Sequence, residues 1–397
     1  MARIVKYETK KGNRYMYIIE NGIDPQTGKR SRVVKRGFKK SPDAKAAAVD
    51  MEYKLGISNL DVKNTILFKD FAQEWLSVYS LNNKKLSTIK IRKEAILILN
   101  HYFSFIPLKK IKKKMYQNFL NDLKSKKKLA YNSILSVHSA ARMIFKYAVE
   151  QDIIMTNPTQ YSFIPKDVKT VQEIENEAIK EKYLEKHELK LFLDKAYDVN
   201  KETHAMLFTL AWTGLRIGEL AVLKWKDIDF EEKTLSVTKT YFNETNKIVN
   251  YILQSPKTKT SIRVIDIEDD VIYVLKKHKS RQNILKLELG KNNYHDEDFV
   301  FGRTKHPYYG YPHLVSTMSK KMKRILNKCP DIKKELTPHS LRHTHTSLLA
   351  EAGVELIQIM ERLGHSSDKT TTQVYLHITK DRKKEASKKF GELMRNL

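Results

Sequence analysis

The chain has 397 residues, enough for two or three domains of ordinary size, and 41% of them are hydrophobic, enough to build cores. Lys and Arg number 74 against 46 Asp and Glu, a net charge of +28 that points to a polyanionic partner. The single cysteine, Cys329, excludes an intrachain disulfide framework and a multi-cysteine zinc site, and no glycine falls in a P-loop or GxGxxG pattern, which argues against ATP and dinucleotide binding.

No apolar run reaches the roughly 18 residues of a membrane span, and Met1–Asn13 has no signal-peptide core, so a soluble protein of the cytoplasm without a membrane partner is expected. The charge is unevenly spread. Residues 1–60 hold 14 basic and 6 acidic side chains and residues 61–165 hold 18 and 7, which places +19 of the charge in under half the chain. Self-repulsion of that size opposes compactness unless an anion offsets it, and nucleic acid is the leading candidate.

In chain order, Arg14–Glu20 and Ser31–Phe38 are β-branched and aromatic runs separated by the turn-rich NGIDPQTGKR. They predict a three-stranded antiparallel sheet, followed by a helix from Ser41 to about Leu55. A basic sheet of this kind suits a DNA groove. Phe68, Phe71, Ala72, Trp75, Leu76 and Tyr79 repeat at helical spacing, and similar patterns recur around Ile89–Phe103, Lys114–Lys124 and Tyr131–Gln151. Between them lie the basic stretches Leu108–Lys114 and Lys124–Lys128, placed for phosphate contact. The polar Lys166–Lys182 reads as a linker.

From Tyr183 the pattern is α-rich with a small antiparallel sheet. Helices are expected at Lys186–Tyr197, Glu202–Thr213 and Ile217–Lys224, strands at Thr234–Tyr241, Tyr251–Gln254 and Ser261–Ile267, and helices beyond. The predicted organisation is a sheet-plus-helix module over residues 1–60, a helical domain over 64–165, the linker over 166–182 and an α-rich domain over 183–397. The tail Asp381–Leu397 places Ala386, Phe390, Leu393 and Leu397 on one helical face.

Three clusters stand out: Thr213–Leu220 (TGLRIGEL), Pro338–Thr344 (PHSLRHT) and Leu363–Tyr375 (LGHSSDKTTTQVY). His339, His343 and His345 could suggest a metal site. Metallohydrolase helices carry Glu after the first His, however, and here Ser340 stands there.

In their order and company, GLRxxE, HxLRH, LGH and a late tyrosine resemble the three boxes of the tyrosine recombinase (phage integrase) family, in the subgroup with an extra N-terminal sheet for arm-type DNA. The resemblance implies that Tyr375 is the nucleophile, that Arg216 and Arg342 clamp the scissile phosphate, and that His339 handles protons at the tyrosine. It further implies that His365 hydrogen-bonds the phosphate, that Glu219 braces the first box, and that a hairpin lysine protonates the leaving 5′-oxygen. Lys257 in SPKT fits that lysine, with Lys259 as the alternative.

The implied partners are double-stranded DNA at core-type and arm-type sites, three further copies of the chain in a tetramer, and a directionality factor or host DNA-bending protein. No cofactor is implied, because a phosphotyrosyl bond conserves the energy of the broken one and the cationic side chains replace a divalent ion. The implied activity is that of an integrase of a mobile element, acting at the nucleoid. The rival readings are a dimer-resolving recombinase and a DNA-binding regulator with an inactive recombinase domain.

Overall fold

The computed structural model describes residues 2–9, 12–23, 30–54, 66–166, 183–256, 258–365, 369–378 and 394–395. The chain divides into two compact units, Met1–Lys169 and Thr170–Leu397.

The first unit begins with an antiparallel sheet of β1 (Arg3–Thr9), β2 (Gly12–Ile23) and β3 (Arg30–Phe38), in that order, with α1 (Ser41–Lys54) packed on it. Tyr17 and Ile19, two apart and so on one face, are buried with Ala48 of α1, and the Tyr17 ring lies 5.8 Å from Phe38. Residues of opposite parity turn to the uncovered face. There Arg3 pairs with Ile18, Arg14 with Tyr7 and Arg32 with Glu20. The alternation thus sorts an apolar face toward α1 and an arginine-bearing face away from it.

Four helices follow: α2 (Phe68–Leu81), α3 (Leu86–Phe103), α4 (Lys113–Ser125) and α5 (Tyr131–Glu150). Their stripes meet in an aromatic core that includes Phe68, Phe71, Phe103, Phe119 and Phe145. Burying each such ring stabilises by about 1.5–3 kcal/mol. Inside it the Tyr116 hydroxyl meets His138 Nδ1 at 2.8 Å, and burial raises the phenol pKa and lowers that of the imidazole, so both are neutral. In the turn ahead of α4 and its first residues, Leu108 and Ile111 are buried while Lys109, Lys110, Lys112, Lys113 and Lys114 are exposed. Two apolar anchors therefore hold a row of lysines to solvent.

The second unit contains α6 (Lys186–Val199), α7 (Lys201–Thr213), the single turn α8 (Ile217–Leu220), the strands β4 (Ile228–Asp229), β5 (Thr234–Val237), β6 (Thr240–Phe242), β7 (Ile252–Gln254) and β8 (Arg263–Asp266), and then α9 (Asp269–Leu289), α10 (Val315–Leu326), α11 (Pro338–Glu351), α12 (Leu356–Leu363) and α13 (Lys369–Ile378). The strands form a three-stranded antiparallel sheet in the order β4-β5-β8 and a separate β6-β7 pair. The core joins α6, α7 and α11 through residues such as Phe192, Leu210 and Leu341. Asn200 caps α7, its Oδ1 accepting from the Thr203 amide at 2.8 Å.

Two elements depart from expectation. The helix expected over Ile217–Lys224 stops at Leu220, because the next backbone groups pair elsewhere: Val300 N–H donates to Leu223 O at 2.8 Å and Trp225 N–H to Asp298 O at 3.0 Å. The strand expected over Thr234–Tyr241 is broken between β5 and β6, where Lys239 turns in to Asp227 at 2.5 Å. The expected linker after Lys166, residue Lys257 and nearly all of the tail Asp381–Leu397 lie outside the described residues. Among the described residues no helix is long and apolar enough to cross a membrane.

Candidate active site

Each of the three motif clusters is placed by a local backbone device. In the first, α7 ends at Gly214, whose φ of +63° favours glycine. A Cβ there would stand 2.7 Å from both His345 Cδ2 and Leu363 Cδ2, so this glycine also lets α7, α11 and α12 meet. Two residues on, the Arg216 amide donates to Glu219 Oε2 at 3.0 Å, as in a capping box, while Arg216 Nη1 donates to Oε1 at 2.8 Å. The guanidinium remains about one-third exposed.

In the second cluster, Pro338 opens α11, and the Thr337 amide donates to Ser340 Oγ at 3.1 Å. Arg342, one turn in, is 2% exposed. Its Nη1 donates to Gly214 O at 2.7 Å, and its Nη2 donates to Leu363 O and to His365 Nε2. One guanidinium therefore ties the first cluster to the third. His339 is exposed and stacks edge-on against His343, with ring centroids 4.7 Å apart.

In the third cluster, Gly364 at φ +68° ends α12, and the His365 amide returns to Met360 O at 2.9 Å. A Cβ on Gly364 would meet Thr260 O at 2.9 Å, so this glycine admits the 3-10 turn Lys259–Ser261 that leads into β8. His365 Nδ1 lies 3.0 Å from Thr371 Oγ1. Tyr375 follows one turn later on α13, its ring packed against the cluster of Ala350, Ile359 and Leu363.

The structure thus joins Arg342 and His365 directly. It sets Arg216 two residues from the carbonyl that Arg342 binds, and it puts Tyr375 on the helix that holds His365. His345 sits apart from the metal reading of its cluster: its Nδ1 meets Ala211 O at 2.9 Å and its Nε2 accepts from Arg362 Nε at 3.1 Å. Burial and the adjoining Arg362 pull its pKa down to about 3, so it is a neutral packing residue.

Sequence reading missed Arg263. It donates to Glu219 Oε2 at 3.0 Å and to Arg362 O at 2.8 Å, linking the strand after Lys257 to the first cluster and to the end of α12 just before the third. Burial would raise the Glu219 pKa, but Arg263 and then Arg216 outweigh it, and the carboxyl is held below its usual range. Thr371 was also missed, although its spacing of four from Tyr375 marks a shared helix face.

A buried arginine that gathers three Arg/His clusters, beside a helix bearing a tyrosine, is the arrangement expected of a tyrosine recombinase catalytic domain. The pattern described as "Phage integrase family" matches residues 182–382, "Arm DNA-binding domain" matches 4–55 and "Phage integrase SAM-like domain" matches 67–166. The chain belongs to the phage integrase family. It is 30% identical to the "Prophage ps2 probable integrase" of Lactococcus lactis over 95% of this chain and 96% of that one. It is 27% identical to the ICEBs1 integrase of Bacillus subtilis, over 96% and 98%. Its fold is similar to that of the Tn1549 transposon integrase solved with transposon right end DNA, with a TM-score of 0.64 and 22% identity over 82% of this chain and 100% of that one. It is also similar to lambda integrase solved as a dimer on a core site, with a TM-score of 0.57 and 19% identity over 93% and 94%.

Proposed function

We propose that this chain cleaves and rejoins DNA at specific sites through a 3′-phosphotyrosyl intermediate on Tyr375, as the integrase of a mobile element. The Tyr375 oxygen attacks the scissile phosphorus and the bond to the 5′-oxygen breaks. His339 takes the phenolic proton, and Lys257 delivers a proton to the leaving oxygen. Arg216 and Arg342 set positive charge against the charge that builds on the non-bridging oxygens, and His365 adds a hydrogen bond. A 5′-hydroxyl from the partner strand then attacks the phosphotyrosine and restores the backbone. Atoms and charge balance without ATP.

The observation that carries this reading is the hydrogen-bonded chain from Gly214 through Arg342 to His365, which brings residues distant in sequence to one place. The domains proposed are residues 1–60 for arm-type DNA, 64–165 for core-type DNA, a linker over 166–182, and catalysis over 183–397. The uncovered arginine-bearing face of the N-terminal sheet supports the first assignment, and the lysine row ahead of α4 supports the second. Lambda integrase has been solved as a tetramer on a Holliday junction. By analogy four copies of this chain act together, with the tail Asp381–Leu397 docking on a neighbour and a directionality factor or host DNA-bending protein choosing the outcome.

The test is a nicked suicide duplex built on a sequence that the protein itself selects from a random pool. Wild type should form a denaturant-resistant protein–DNA adduct, and Tyr375→Phe should bind the same duplex without forming it. Binding without an adduct in wild type would instead mark an inactive, regulatory member.

A further inference from the structure

His365 is gripped from both sides. Its Nε2 faces Arg342 Nη2, and its Nδ1 lies 3.0 Å from the hydroxyl of Thr371. A guanidinium can only donate, so Nε2 accepts and the proton sits on Nδ1, which donates to Thr371 Oγ1. Thr371 is 2% exposed, and it precedes Tyr375 by four residues on α13, one turn away on the same face. The Thr371 hydroxyl therefore links the helix bearing the nucleophile to the imidazole beside Arg342.

We propose that Thr371 is a positioning residue for DNA cleavage: it orients the His365 imidazole and makes that orientation depend on α13 being seated. The inference rests on the reading of Tyr375 as nucleophile and His365 as a phosphate ligand. A hydroxyl suits the task because it both accepts and donates. It accepts from Nδ1–H while Nε2 faces Arg342, and it donates to Nδ1 once Nε2 carries a proton toward a phosphate oxygen. A protomer whose α13 is displaced loses the hydrogen bond together with the nucleophile, so the clamp is complete only where Tyr375 is in place.

Thr371→Val keeps the shape and removes the hydroxyl, whereas Thr371→Ser keeps the hydroxyl. On the suicide duplex, Thr371→Val should slow adduct formation by about tenfold or more, in line with the loss of a histidine's orienting partner, with core-site affinity unchanged. Thr371→Ser should recover most of the rate. In a His365→Ala background Thr371→Val should slow the reaction no further, because the two act as one unit. A Thr371→Val protein that cleaves at the wild-type rate overturns the proposal. So does an equal slowing in the His365→Ala background, which would make Thr371 a packing residue of α13 only. If Tyr375→Phe itself still forms adduct, the underlying functional reading has failed instead, and the two failures are told apart.

Discussion

Arg263 and Glu219, 44 residues apart, form a buried ion pair in which Arg263 Nη2 lies 3.0 Å from Glu219 Oε2, while Arg216 holds the other carboxylate oxygen at 2.8 Å. One carboxylate thus serves two arginines. Arg263 is the structural partner, its side chain 6% exposed, and Arg216 is the outward one, 34% exposed.

Removing that carboxylate should cost both stability and rate. Glu219→Ala leaves the buried Arg263 guanidinium without its counter-charge, a change that costs about 3–5 kcal/mol in comparable sites. Denaturant unfolding of the full chain should show a loss of this size. Cleavage should fall more than DNA affinity, because Arg216 loses the contact that orients it. Unchanged unfolding would show that Arg263 finds other acceptors.

His345 should make stability sensitive to mild acid. Its pKa falls from 6.5 to about 3 on folding, so between those values the unfolded chain binds a proton that the folded chain refuses, and stability declines as pH drops. By pH 5 the loss is about 2 kcal/mol, at about 1.4 kcal/mol for each unit below the unfolded value. His345→Asn should flatten the slope of unfolding free energy between pH 7 and pH 5, whatever its stability at pH 7. An unaltered slope would place the acid sensitivity elsewhere.

Much of the candidate site was readable because its devices are local. GLR and LGH each carry a glycine where a helix must end in a left-handed turn, and the arginine or histidine follows at fixed offset. The helical stripes of α2 to α5 were equally plain, since each repeats at 3.6 residues. What escaped depended on distant partners. Arg263 in SIRVID looks like any strand cation until Glu219 is beside it. The helix after Ile217 reads as continuing, and only the bridge between Lys224 and Phe299 ends it. The break at Lys239 likewise needs Asp227.

Lys257→Ala should slow cleavage of ordinary DNA strongly and regain rate on DNA whose bridging 5′-oxygen is replaced by sulfur, because a thiolate leaves without a proton. Rescue of Lys259→Ala, and not of Lys257→Ala, would move the acid two residues along. The measurement is the single-turnover rate on the two substrates.

Deleting residues 1–60 removes a net charge of +8 and the arginine-bearing sheet face. Core-site cleavage should persist, while affinity for a second, distant class of sites disappears. The dependence of binding on salt should flatten for the duplex that carried those sites, since fewer counterions are released. Loss of core cleavage with all binding retained would give the module another role.

The nucleophile is identified by trapping the adduct on the suicide duplex, digesting the DNA and protein, and locating the modified peptide by mass spectrometry. A single nucleotide-bearing residue is expected, Tyr375, linked through a 3′-phosphate. An adduct on any other residue, or a linkage to a 5′-phosphate, would contradict that assignment.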